Sequence, residues 1–182
     1  MIQAFAFAKK RVPKLKLWIM GPTDEDEKYA QECFDLVDSL GVSDIEFTGR
    51  VNVKEYLGRM DFTILTSISE GQPLTILESY AAHKPTIATD VGNCRELIYG
   101  NDDGFGAAGI LTHIMNLEEI AQAMIDLAID PEGRKQMGEA GYKRVTSFYR
   151  IEQMKETYKE IYRRFAEEQQ AGWTEEPFQL KR

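Results

Sequence analysis

Five short apolar runs, separated by segments of helical period, restrict this chain more than any other feature. "LKLWIM" (15–20), "DIEFTG" (44–49), "DFTILT" (61–66), "KPTIAT" (84–89) and "AGILT" (108–112) have strand length, and several are β-branched and almost continuously apolar. A half-exposed strand alternates polar and apolar residues, so runs without that alternation point to a parallel sheet covered on both faces. Between them, "DEDEKYAQECFDLVDSLG" (24–41) sets Tyr29, Cys33, Phe34, Val37 and Leu40 at helical spacing, with acids at its start and Gly41 at its end. "VKEYLGRM" (53–60) predicts a shorter helix, and "PLTILESYAA" (73–82) one with Pro73 at its first helical position. Beyond the last strand, helical patterns occupy 117–129, 132–145 and 150–168. Strands and helices alternating through short turns imply right-handed crossovers. The fold class is therefore α/β, a Rossmann-like doubly wound parallel sheet with C-terminal helices.

With 182 residues and 43% hydrophobic content, the chain can bury one substantial core. No apolar run approaches the roughly 20 residues of a spanning helix, so a soluble, cytoplasmic protein with no membrane span is expected. The net charge of −8 argues against a nucleic-acid partner. Cys33 and Cys94 lack metal-ligand spacing and are expected as reduced thiols, and His83 and His113 stand apart from any ligand cluster. The final stretch, 169–182, reads as a polar tail in which Trp173 and Phe178 make ordinary packing contacts.

The chemistry concentrates in "TSISEGQPLTILESYAAHKPTIATD" (66–90), where Glu70 and Glu78 flank a Gly71-Gln72-Pro73 turn from strand to helix. Ligands of open α/β sheets sit beyond the carboxyl ends of the strands, where helix N-termini point outward. Gly71 supplies backbone freedom, Pro73 presets φ, and the free amides of Leu74 and Thr75 suit a phosphate. Glu70 precedes the helix while Glu78 lies about 7 Å further along, at ~1.5 Å per residue. Carboxylates repel phosphate but accept hydrogen bonds from hydroxyls, so a diphosphate flanked by two sugars satisfies both. Taken alone, two acids near a helix start are common, because the dipole favours them. The turns "FTGRV" (47–51) and "TDVGNCREL" (89–97) also follow strands and carry a glycine, and three such turns on one edge favour a nucleotide-sized crevice.

The run "FTGRV…YLGRMDFTILTSISEGQPLTILESYAAHKPTIATDVGNCREL" strongly resembles the donor-binding, C-terminal domain of glycosyltransferase family 4, retaining enzymes of the GT-B fold. The resemblance runs from about residue 3 to about residue 165, and "GRVNVKEYL", "SEGQPL" and "YRIEQMKETY" look most like the PelF-type exopolysaccharide branch, whose expected donor is UDP-glucose. It implies a donor-binding domain over 1–168 and places the family's pair of glutamates at Glu70 and Glu78. By that resemblance Glu70 is catalytic and meets the donor sugar hydroxyls, and Glu78 meets the ribose. Leu74 and Thr75 would hold the diphosphate, with Gly71 and Gln72 in the same turn. Gly49, Arg50 and Val51 would lie against the base, and Asp90 to Gly92 would wall the pocket. For Arg50, a solvated cation at a strand end is an equal alternative. Glu96 matches the acid of a family turn and has helix capping as its alternative.

No metal or other cofactor is implied: "DED" (24–26) opens a helix and reads as dipole-favoured acids. The resemblance also implies an N-terminal acceptor-binding domain as partner, and a first strand followed by a Gly-Arg and Lys pair ahead of Met1. Lys9, Lys10 and Arg11 lie at the wrong end of their helix to replace that pair. The chain alone is therefore expected to be inactive in transfer, with a sheet lacking its first strand and edges that invite self-association. The alternative to a nucleotide-sugar-binding domain is a noncatalytic protein-interaction module on the same fold.

Overall fold

The structure, a computed structural model, describes residues 1–171. Of the predicted tail, 169–171 close the last helix, and 172–182, with Trp173 and Phe178, lie outside the described residues. The elements are α1 (Ile2–Arg11), β1 (Leu17–Met20), α2 (Glu27–Leu40), β2 (Ile45–Gly49), α3 (Val53–Leu57), β3 (Thr63–Leu65), α4 (Leu74–Ala81), β4 (Thr86–Thr89), α5 (Cys94–Tyr99), β5 (Gly109–Thr112), α6 (Leu117–Ile129), α7 (Pro131–Phe148) and α8 (Ile151–Ala171). Two compact units divide the chain, Met1–Thr146 and Ser147–Arg182. The second is built on α8, whose first turn is closed by the Arg150 amide donating to Gln153 Oε1 at 3.0 Å.

Every predicted strand is present and every described pairing is parallel, in the orders β1-β2 and β3-β4-β5. The described strands thus form two sheets. One apolar cluster serves both: Phe5 and Ala8 of α1 and Met124 and Leu127 of α6 pack with Leu17 of β1 and Ile87 of β4. All four residues of β4, Thr86 to Thr89, are buried, as expected of a parallel strand covered on both faces.

Three local expectations are corrected. On α2, Cys33, Phe34 and Val37 are half-buried, but Tyr29 and Leu40 stay 64% and 41% exposed. The side of the helix that is half-buried faces β2, where Phe34 meets Phe47 edge-on with ring centroids 4.7 Å apart. Its start behaves as read: the Asp26 side chain accepts the Tyr29 amide at 3.0 Å, and Gly41 ends it at φ 57°. α3 stops at Leu57 because the amides of Arg59 and Met60 turn back to the carbonyls of Tyr56 and Leu57. Arg59 then lies over the rings of Trp18 and Tyr56. Pro73 is extended at ψ 114° and stands before α4, whose first residue is Leu74.

α7 is fastened to the sheet unit by one buried cation. Arg144, 1% exposed, donates through Nε and Nη2 to the two Asp103 oxygens at 2.6 and 3.0 Å, and to the carbonyls of Leu97, Ile98 and Gly106 at 3.0, 3.1 and 2.7 Å. Nearly every guanidinium donor is used, which is the condition for burying it. Asp103 is held below the usual carboxylate range, chiefly by the Arg144 hydrogen bond, and also accepts the Phe105 amide at 3.0 Å.

Candidate functional site

α4 is set in place from behind by hydroxyls. Ser79 Oγ donates to the Lys84 carbonyl at 2.9 Å and lies 2.8 Å from Thr63 Oγ1, itself 2.7 Å from Thr86 Oγ1. This chain of polar contacts locks the helix to β3 and β4. Ile76, Ser79 and Tyr80 form its buried face. Thr75 and Glu78, three residues apart, consequently share the outer face, and both line a groove of about 630 Å³ between β1 and β3. The first amides of α4, those of Leu74 and Thr75, have no carbonyl within the helix to donate to. Leu74 itself is exposed, as is Gln72.

Glu70 is positioned by its own loop and by the next one. Ser67 Oγ donates to Glu70 Oε1 at 2.7 Å, and Thr89 Oγ1 in turn donates to the Ser67 carbonyl. The β4–α5 turn presses against the Glu70–Gly71 backbone: the Asn93 amide donates to the Gly71 carbonyl at 2.9 Å, and Gly92 adopts φ 50°. A Cβ on Gly92 would sit 2.0 Å from the Glu70 carbonyl oxygen and 2.7 Å from that of Gly71. Gly71 is different, with open space around its α-carbon and no positive φ. The glycine that the turn demands is therefore Gly92, and the freedom assigned to Gly71 is not used.

Asp90 does reach this edge, with its amide on the Thr112 carbonyl at 2.8 Å, but its carboxylate is ion-paired to Arg95. Cys94 lies buried beneath the turn; burial pushes its thiol up, and the nearby Glu70 and Asp90 charges add to the effect. Glu96 occupies the first turn of α5. Arg50 and Val51 belong to a second group at the ends of β1 and β2, where the Gly21 amide donates to the Gly49 carbonyl at 3.0 Å. Arg50 there pairs with Glu25 at 2.5 Å, both well exposed, a contact of small energetic weight.

The structure thus brings Glu70, Gly71 and Asp90 to Gly92 together, turns Thr75 and Glu78 into the groove, and keeps Arg50 and Val51 with the β2 turn. Sequence reasoning missed Ser67, Asn93 and Arg95. Only Ser67 carried a signal, a hydroxyl three residues before the glutamate it holds. Chemically, the edge offers carboxylates to hydroxyls and helix-start amides to an anion. Among the described residues, no three His, Cys, Asp or Glu side chains are grouped to hold a metal ion, and no helix is long and apolar enough to cross a membrane.

Comparison with known proteins gives this geometry a family. The chain is 32% identical over 163 residues to N-acetyl-alpha-D-glucosaminyl L-malate synthase of Bacillus anthracis, a match covering 88% of this chain and 40% of that protein. It therefore spans about two-fifths of the relative's length. Among solved structures, Anabaena Alr3699/HepE in complex with UDP-glucose superposes with a TM-score of 0.78 at 18% identity, over 88% of this chain and 44% of that one. Sucrose-phosphate synthase from Thermosynechococcus elongatus does so with a TM-score of 0.78 at 20% identity, over 90% of this chain and 42% of that one. These likenesses establish the α/β architecture with parallel sheets as that of GT-B glycosyltransferases. Residues 1–144 match the family described as glycosyl transferases group 1, and the chain belongs to that family.

Proposed function

We propose that residues 1–168 form the donor half of a retaining glycosyltransferase of family 4, binding a nucleoside diphosphate sugar. The observation that carries this reading is the disposition of Glu70 and Glu78 about the amino end of α4, one held by Ser67 ahead of the helix and the other on its outer face. A diphosphate at the amides of Leu74 and Thr75 has hydroxyl-bearing sugars on both sides. Glu78 accepts from the ribose, Glu70 from the transferred sugar. The backbone of Gly49 and Val51 meets the base, since the Arg50 side chain is engaged by Glu25.

In transfer with retention, the bond between the anomeric carbon and the diphosphate breaks through an oxocarbenium-like transition state. The departing oxygens collect negative charge, which the positive end of α4 meets without a metal ion. Glu70 orients the sugar and puts a carboxylate beside the developing positive charge. The likeness to a protein solved with UDP-glucose supports UDP-glucose as donor, and "GRVNVKEYL" and "SEGQPL" support a role in exopolysaccharide synthesis in the cytoplasm. An acceptor-binding domain completes the cleft; residues 1–182 alone bind donor without transferring it.

Calorimetric titration with UDP and UDP-glucose tests the reading. Saturable binding is expected, and Glu78→Ala lowers affinity about 10- to 100-fold, the value of one charge-assisted hydrogen bond. Equal affinity in the variant would remove Glu78 from the site, and no binding at millimolar UDP would remove the function.

A further inference from the structure

Residues 1–23 hold five Lys and Arg and no Asp or Glu, in a chain whose net charge is −8. The structure separates one of those cations from the other four. Lys9 donates through Nζ to the Pro13 and Leu15 carbonyls, each at 2.9 Å, and pairs with Asp44 at 2.7 Å, which folds the segment after α1 back against the end of the helix. Lys10, Arg11, Lys14 and Lys16 are all exposed, and among the described residues none of them makes an ion pair. Asp44, the acid whose charge Lys16 also feels, is already engaged by Lys9.

The outer face of α1 adds an apolar element to this cluster. Ile2, Ala4, Phe5 and Ala8 are buried, so Phe7, Lys10 and Arg11, neighbours at helical spacing, lie on the opposite side. Phe7 is 56% exposed, and the Lys10 ammonium stands 5.5 Å from the centre of its ring. Cations set around an exposed ring match a bilayer interface, where ammonium and guanidinium groups meet phosphates and the ring enters the boundary between headgroups and acyl chains. A long polyanion fits less well, because it would run from this patch onto the acidic remainder of the chain.

From these features we infer that the outer face of α1 and the turn at 12–16 form a peripheral docking surface for a bilayer of anionic phospholipid. Lys10, Arg11, Lys14 and Lys16 meet the headgroup phosphates, and Phe7 inserts between them. Lys14 and Lys16 stand ahead of β1, whereas Glu70 and Asp90 follow β3 and β4, so docking leaves the turns of the candidate site uncovered. The inference stands whether or not those turns bind a nucleotide.

Vesicle flotation tests it on the unmodified chain. Binding is expected to vesicles of equal parts phosphatidylcholine and phosphatidylglycerol, absent with phosphatidylcholine alone and reversed by added salt. Lys10→Gln with Arg11→Gln should lower it roughly 10- to 30-fold. Lys155→Gln with Lys159→Gln removes the same charge from α8 and should leave it unchanged. Phe7→Ala should weaken binding about tenfold without altering the salt dependence. Every substituted side chain is exposed, so melting temperatures equal to the parent's separate lost docking from a lost fold. Equal binding to neutral vesicles, or equal losses in the α1 and α8 variants, overturns the inference. So does Phe7→Ala binding as the parent does, which would leave a surface that reads charge alone. Tighter binding to single-stranded RNA than to vesicles at equal phosphate concentration also overturns it and reassigns the patch to a nucleic acid.

Discussion

Asp103→Ala is expected to destabilise the chain by about 3–5 kcal/mol, because it strands the Arg144 guanidinium in the interior without its counter-charge. The three carbonyls that also accept from Arg144 cannot neutralise it. Cooperative urea unfolding and thermal melting check this, with a melting temperature lowered by roughly 6 to 20 °C for a chain of this size. Replacing both partners, Asp103→Ala with Arg144→Met, should recover much of the loss, since an apolar pair leaves no buried charge. The same bond carries a pH signature. The Asp103 carboxyl titrates lower when folded than when unfolded, where it lies near 3.9. Its contribution is therefore complete above that unfolded value and disappears as pH falls through the folded one. Stability of the parent should drop on acidification below about pH 4, and Asp103→Ala should lack that component of the drop. A variant as stable as its parent at neutral pH would show that the pair does not hold α7.

Gly92→Ala has the second large effect, and it reaches the candidate site directly. Its new Cβ would meet backbone oxygen at 2.0 Å, and backbone cannot step aside as a side-chain tip can. The β4–α5 turn or the Glu70–Gly71 turn has to shift, and the positive φ adds strain of its own. A loss of about 1–3 kcal/mol is expected in unfolding experiments. Affinity for UDP-glucose should fall with it, because the displaced residue is Glu70. Gly71→Ala is the informative control: its surroundings are open, so its stability should stay within about 0.5 kcal/mol of the parent. If Gly92→Ala matches Gly71→Ala in both stability and affinity, the close approach of the two turns does not position Glu70.

The contrast between these two glycines also measures what a sequence can say. Both follow a strand and precede a helix, and both read as turn glycines, yet only the packing of one loop on another separates them. Among the described residues the strands were located because short, β-branched segments such as the Thr-Ile-Ala-Thr of β4, set between turn residues, are too short for helices. Helical periodicity failed at Tyr29 and Leu40, which stay exposed although their spacing matches that of the half-buried Cys33, Phe34 and Val37. The placement of Glu70 ahead of α4 and of Glu78 on its outer face was legible because a helix start and an outward face are local properties. The partners of Asp90 and Arg50 were not, since Arg95 and Glu25 are assigned to them by rotamers and by neighbouring loops. The Arg144–Asp103 pair was equally hidden: forty-one residues part its members, and an arginine in a helix ordinarily reads as solvated.

The two ladders also differ from the core that joins them in how they are assembled. Each ladder closes over a contiguous stretch, β1 to β2 across α2, and β3 to β5 across α4 and α5, through crossovers of modest length. Their union depends on α1 and α6, which are far apart in sequence and pack on each other across both sheets. The entropy of bringing chain ends together rises with the logarithm of the intervening length. The costliest closure in the Met1–Thr146 unit is thus a helix–helix contact and not a strand pairing, and the α1–α6 clasp is what turns two locally made ladders into one body.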